Sequence, residues 1–342
     1  EVGSNGEEAA AKYIAKRFKK LGLEPMGTKG YLQEFSVKPQ YNPHAKVPAD
    51  TSKAIVGKNV IGYIDNGAPT TVIIGAHYDH LGWGEESSRY LGKEKMIHYG
   101  ADDNGSGTVA LLELARLFYN KKEQLIHPFY FIAFSGEEKG VLGSQHIAQQ
   151  MIDDSVAMHM MINMDMIGRM DIEKRSVMIG GTGTSAEAEA ILDSLPAENL
   201  SFAYSPEGYG PSDHAAFYGE DIPVFFFSTG AHTDYHTPDD DVDRLHFKEQ
   251  GELLQYIYGL LIHLSAMDEP LSFREAGPKQ QSGGGGKRFK VTLGIMPDFT
   301  SSQEEGLGVG GVTPGGPAYK GGMEKGDVIV AMEGKEIRNI YD

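Results

Sequence analysis

The chain has 342 residues, 40% of them hydrophobic, a normal share for a globular protein with a sizeable core, and its length suggests one large domain plus a small one. Its formal charge of −17, from 31 basic and 48 acidic residues, argues against a general affinity for nucleic acid or anionic membranes. There is no cysteine, which excludes disulfides and thiolate metal ligation, so any metal must be held by His, Asp and Glu.

Residues Glu7 to Leu21 place Ala10, Ile14, Phe18 and Leu21 at helical spacing among charged residues, and Gly22 follows as a stop signal. Strand-like pieces come next at Leu32 to Val37 and Asn59 to Tyr63, and Thr71 to Ala76 reads as a buried strand. Thr108 to Tyr119 is a helix starting just after Asn104-Gly105-Ser106-Gly107, and Pro128 to Phe134 is a strand running into Ser135-Gly136-Glu137-Glu138. Met158 to Met166 is strand-like but interrupted by Asn163 and Asp165, and Pro223 to Phe227 is an apolar run before Ser228-Thr229-Gly230. A helix over Phe247 to Met267 closes the unit. Strands alternating with helices imply an α/β fold, with a mostly parallel or mixed sheet and helices on both faces. In such sheets ligands bind beyond the carboxyl ends of the strands, which is where the polar clusters fall.

Five of those polar residues stand out: His77, Asp102, Glu138, Asp165 and His236. Two imidazoles and three carboxylates are too few ligands for two isolated metal ions unless one carboxylate bridges them. Asp79, two residues after His77 and on the same side of the strand, suits the partner that fixes the tautomer of a metal-binding imidazole. Asp102 and Asp103 precede a helix, whose positive dipole end favours anions. Glu137 and Glu138 would repel each other unless something positive lies beside them; one can bind a metal while the other points at a water. Asp165 sits in an apolar run, and a buried acid needs a partner. Each has an ordinary reading in isolation: a solvated loop for His77, Asp79 and His236, an N-cap for Asp102, a solvated turn for Glu137 and Glu138, an Arg or a backbone turn as partner for Asp165.

Taken together and in order, His77-Tyr78-Asp79, Gly100-Ala101-Asp102-Asp103-Asn104, Ser135-Gly136-Glu137-Glu138, Asn163-Met164-Asp165-Met166, Ser212-Asp213-His214 and His236-Thr237-Pro238-Asp239-Asp240 resemble the M28 family of zinc aminopeptidases. The resemblance covers roughly residues 1 to 265. It implies a zinc-exopeptidase fold with two zinc ions, one held by His77 and Asp165 and the other by Glu138 and His236, with Asp102 bridging and a cis bond from Asp102 to Asp103. It also implies Asp79 and Asp240 as residues supporting the ligands, Glu137 as general base, and Tyr209 as a phenol that steadies the oxyanion, with Tyr204 as the nearby alternative. Glu137 would take a proton from a water shared by the two metals and pass it to the leaving amine. One zinc would polarise the peptide carbonyl and the other would bind the free α-amino group, making the substrate a peptide with a free N-terminus. Phe202, Tyr204, Tyr209, Phe217 and Phe226 are candidates for a pocket that takes a bulky apolar side chain, and equally for core.

Asp268 to Lys287, with its run Gly283-Gly284-Gly285-Gly286, has the composition of a flexible linker between a domain over 1–267 and a unit over 288–342. Within that unit Leu293-Gly294-Ile295, Gly315-Gly316-Pro317-Ala318, Gly326-Asp327-Val328-Ile329-Val330 and Glu333-Gly334 resemble a small, β-rich PDZ domain, incomplete because the chain stops at Asp342. A complete PDZ domain would take a peptide C-terminus as ligand. Two other functions remain open: a glutaminyl cyclase using one zinc, and a catalytically inactive peptide-binding protein. No apolar stretch approaches the roughly 20 residues that span a bilayer, and no signal peptide is visible, although a chain beginning at Glu1 is compatible with removal of an upstream segment. The expected location is outside the cytoplasm of a bacterium, periplasmic or secreted, which the absence of cysteine fits.

Overall fold

The computed structural model describes residues 1–37, 54–122, 125–197, 199–279, 293–297, 306–312 and 315–337. Nine strands form one mixed sheet: β1 (Glu24–Pro25), β2 (Leu32–Val37), β3 (Ile55–Ile64), β4 (Thr70–His77), β5 (Phe129–Phe134), β6 (Ala157–Met164), β7 (Ser176–Gly180), β8 (Ser201–Ser205) and β9 (Val224–Ser228). Their order is β1-β3-β5-β4-β6-β9-β7-β8, with β2 paired to β3. The central four, β5, β4, β6 and β9, run parallel, while β3 and β7 are antiparallel to their inner neighbours. The expected α/β architecture is therefore the observed one.

Alternation along the buried strands sorts side chains onto two faces, each covered by helices. Val72, Ile74, Phe129, Phe131, Met160 and Ile162 pack beneath α1 (Asn5–Leu21), α2 (Gly107–Tyr119), α4 (Ala188–Ser194) and α6 (Phe247–Ser265). Ile73, Tyr130, Ile132 and Met161 face α3 (Leu142–Asp153) and α5 (His214–Gly219). Cover on both sides is why these strands read as continuous apolar runs rather than alternating ones. β7 and β8 are not among the expected strands; β8, at the sheet edge, carries a single buried residue, Ala203, and so lacks an apolar run.

Helix α1 shows how local signals set its limits. The Ser4 hydroxyl accepts from the Glu7 N–H at 3.2 Å as the N-cap, and Gly22 at φ 90° closes the other end. Its buried stripe runs Glu7, Ala11, Ile14, Phe18, so a carboxylate occupies the N-terminal end of an otherwise apolar face.

His159 on β6 is fully buried, and neither ring nitrogen has a hydrogen-bond partner among the described residues. Burial, helped by the neighbouring His127, lowers its pKa from 6.5 to about 4. With the folded value below the unfolded one, the unfolded chain binds the extra proton as pH falls through this window, so stability present above about pH 6.5 is lost toward pH 4. At about 1.4 kcal/mol per unit the loss is roughly 3 kcal/mol. Denaturant titrations of His159→Leu between pH 7 and 4 should show a shallower fall in stability than wild type; parallel curves would clear His159 of this role.

The segment after α6 departs from the linker expectation. Arg274 N–H donates to the Thr184 carbonyl at 2.8 Å, Gly208 N–H donates to Ala276, and the Tyr218 hydroxyl binds Gly277. Residues 271–277 are thus fastened to the large unit. The Gly283–Gly286 run, like the expected boundary at Arg288, lies outside the described residues. Beyond it, β10 (Ile295–Pro297), β11 (Leu307–Val312) and β12 (Val328–Ile329) pair in order, with α7 (Pro317–Lys320) beside them and a hairpin of β13 (Ala331–Met332) and β14 (Lys335–Glu336). Val309, Val312, Ala318, Ile329 and Ile337 form a small core of their own. No helix among the described residues is long and apolar enough to cross a membrane.

Candidate metal centre

The parallel strands deliver their last residues to one edge of the sheet. His77 ends β4, Asp165 follows β6 directly, Ser135 to Glu138 follow β5, and His236 lies in the loop beyond β9. Gly136, at φ 76°, turns the chain so that Glu137 and Glu138 come off consecutively at that edge.

Asp103 stands at the centre. Its Oδ1 lies 3.3 Å from His77 Nε2, which is also 3.4 Å from Asp165 Oδ1. Its Oδ2 lies 3.1 Å from His236 Nε2, which is also 3.2 Å from Glu138 Oε2. His80 completes the second group, with Nδ1 2.8 Å from Glu138 Oε1. Two triads with metal-ligand spacing result, His77-Asp103-Asp165 and His80-Asp103-Glu138, and they share one carboxylate.

The aspartate expected at this position was Asp102, and the structure corrects it by one residue. Asp240 grips the backbone N–H groups of both Asp102 and Asp103 at 3.0–3.1 Å, and the two side chains leave in different directions. Asp102 Oδ1 accepts from Gly168 N–H at 2.7 Å and its Oδ2 lies 3.2 Å from His232 Nε2. The cis peptide likewise joins Asp103 to Asn104, not Asp102 to Asp103. Asn104 then locks α2 to the end of β6, donating to the Met164 carbonyl and accepting from Gly107 and Met166 N–H. Gly107 is required there, because an added Cβ would come within 2.4 Å of the Met164 carbonyl oxygen.

Backbone carbonyls set the imidazole tautomers. His77 Nδ1 is 3.1 Å from the Asp79 carbonyl and His236 Nδ1 is 3.0 Å from the Ser87 carbonyl. A carbonyl only accepts, so each Nδ1 carries hydrogen and each Nε2 is the nitrogen turned to the cluster. Asp79 was expected to do this through its carboxylate, which at 3.9 Å is too distant. Its Oδ1 accepts from Glu137 N–H at 3.1 Å instead. Asp240, the other expected supporting residue, acts on the backbone of residues 102 and 103. Ser212 donates to Asp165 Oδ2 at 2.7 Å, leaving Oδ1 for His77.

The donor set fits a metal. His77 Nε2, Asp103 Oδ2, Asp165 Oδ1 and His236 Nε2 are buried with no hydrogen-bond partner among the described residues, although buried polar atoms are nearly always satisfied. Imidazole and carboxylate without thiolate suit zinc. Loss of water pushes the Glu137 carboxyl well above its ordinary range, with Glu138, Asp165 and Asp213 pushing the same way against His77. Burial also raises Asp213, from the Ser212-Asp213-His214 motif, to about 7.

Two residues of this region went unread in the sequence. His80 is one residue past Asp79, a proximity that counted for nothing in a polar loop. Tyr235 stacks on His236 with centroids 3.8 Å apart, and burial first, then the charges of Asp103, Glu138, Glu137 and Asp165, hold its phenol well above the usual value. The expected phenol, Tyr209, packs against the apolar cluster of α3 and α5, while Tyr204 lies on edge strand β8 and donates to Asp193. Among the aromatic pocket candidates, Phe217 and Phe226 are core and Phe202 packs on Tyr256 at 4.5 Å.

Known proteins share this arrangement of the chain. The model of peptidase family M28 matches residues 59–260, and a PDZ domain model matches 308–342. A probable leucine aminopeptidase of Trichophyton verrucosum is 29% identical over 223 residues, 60% of this chain and 56% of that protein. The chain thus spans little more than half the length of that curated relative. Among solved structures, the zinc aminopeptidase BSAP of Bacillus subtilis superposes with a TM-score of 0.61 at 17% identity, over 77% of this chain and 90% of that one. The LapA aminopeptidase of Legionella pneumophila gives 0.57 at 24%, over 76% and 65%. With a match that spans more than half of its residues and includes every member of the two triads, the chain belongs to peptidase family M28.

Proposed function

We propose that the chain is a zinc-dependent aminopeptidase holding two zinc ions, with His77 and Asp165 on one, Glu138 and His236 on the other, and Asp103 between them. The observation that carries this reading is the division of the Asp103 carboxylate, Oδ1 toward His77 and Oδ2 toward His236. His80, at Glu138, is a further imidazole available to the second ion. When bound, such ions supply Lewis acidity and acidify the attacking water.

The protein groups account for the rest of the chemistry. Glu137 comes from the same turn as Glu138 but belongs to neither triad, which leaves its carboxylate free to accept a proton and return it to the leaving amine. Asp79 holds its backbone in place. Tyr235, stacked on His236, joins Tyr209 as a candidate donor to a developing oxyanion. The family match and the aminopeptidase relatives make the proposed substrate a peptide with a free α-amino group, which one of the zinc ions would bind.

The test is hydrolysis of an amino acid p-nitroanilide by the purified chain. Activity should disappear on chelation, return with zinc at two ions per chain, and fall at least about 100-fold when the α-amino group is acetylated, since an uncompensated loss of that contact removes several kcal/mol. One ion per chain with cyclisation of an N-terminal Gln peptide would replace this reading by the glutaminyl cyclase one. Tight zinc binding without either reaction would favour an inactive peptide-binding protein.

A further inference from the structure

Glu7 lies on α1, far along the chain from every residue of the metal centre, yet it is only 2% exposed. A carboxylate in that position must be fully hydrogen-bonded to be tolerated. Its Oε2 accepts from Gly3 N–H at 2.5 Å; its Oε1 accepts from Lys58 N–H at 3.0 Å and from the Ser135 hydroxyl at 2.5 Å. The Tyr78 hydroxyl, which donates to the Lys58 carbonyl at 2.6 Å, stands 3.4 Å from the same oxygen.

Ser135 and Tyr78 are the residues beside the proposed chemistry. Tyr78 lies between His77 and Asp79, and its N–H donates to the Phe134 carbonyl at 2.9 Å. Ser135 begins the turn that carries Glu137 and Glu138. Its N–H donates to Asn59 Oδ1 at 3.1 Å and its carbonyl accepts from Gly143 N–H at 2.9 Å. Gly143 has no room for a Cβ, which would come within 2.2 Å of Asn59 Oδ1. With its backbone fixed in this way, Ser135 has one group left, the hydroxyl, and Glu7 receives it.

We infer that Glu7 is a positioning residue: through Ser135 and Tyr78 it holds the His77 and Glu137-Glu138 segments at their working separation. This rests on the roles proposed above for those residues. A misplacement of about 1 Å can cost roughly 100-fold in turnover, so a small relaxation of this node suffices.

Glu7→Ala removes the acceptor of the Ser135 hydroxyl, and Ser135→Ala removes only the hydroxyl, so it tests the contact even if the first variant folds poorly. Each should weaken zinc binding roughly 10-fold by chelator competition, as loss of supporting partners does. Each should also lower kcat about 10- to 100-fold per zinc-loaded molecule with KM within about threefold, and the double variant should be no worse than the poorer single one. Glu8→Gln, on the same helix but paired outward to Lys12 and Lys58, is the control expected to match wild type. A lower melting temperature with unchanged zinc affinity and kcat would reduce Glu7 to a fold staple, and additive losses would show that Glu7 and Ser135 act separately. Zinc affinity is read without catalysis, so a wild-type chain that binds zinc but hydrolyses nothing would remove the proposed function and leave this inference to be decided by affinity.

Discussion

Asp103→Asn should abolish zinc binding at both positions and lower aminopeptidase turnover by at least roughly 1,000-fold, while Asp102→Asn keeps its zinc and most of its activity. The two residues are adjacent acids, so composition and local charge are the same in both variants. Their environments differ. Asp103 offers one oxygen to each imidazole, and an amide there presents a donor to one of them. Asp102 uses Oδ1 to accept from Gly168 N–H, which an Asn oxygen does equally well. Metal analysis after dialysis, with circular dichroism to check folding, separates the two. Two ions retained in Asp103→Asn, or none in Asp102→Asn, would move the bridge back to Asp102.

Glu137→Gln should keep both ions and lose about 100- to 10,000-fold in kcat, the range a positioned general base supplies. The substitution is isosteric, and the contact that holds the turn, Glu137 N–H to Asp79 Oδ1, belongs to the backbone and survives it. An amide cannot accept the proton from water. KM should change little, because neither triad includes Glu137. Turnover within tenfold of wild type, with metal content unchanged, would assign the proton transfer to another group.

Much of this was readable from residue order because hydrophobic patterning is local. Thr71 to Ala76 and Pro128 to Phe134 mark the buried strands β4 and β5 within a residue or two, and the acids and imidazoles that end such runs are conspicuous because apolar strands rarely carry them. His77, Glu138, Asp165 and His236 were found this way and come together at the sheet edge. The aromatic pocket was not readable in the same way. A Phe one position along a strand changes face, and only the packed sheet shows that Phe226 is core.

By itself the sequence determined the layered sheet, the edge at which polar residues gather, and the pool of side chains available for chemistry. Tertiary structure decided which of two neighbouring aspartates turns inward, that His80 and Tyr235 join the group, and that a carboxylate on the first helix reaches the turn bearing Glu137. The reason is that side-chain direction in an irregular turn has no period to be read. It is set by contacts from distant segments, here Asp240, Gly168 and Ser135, which exist only once the sheet has brought them together.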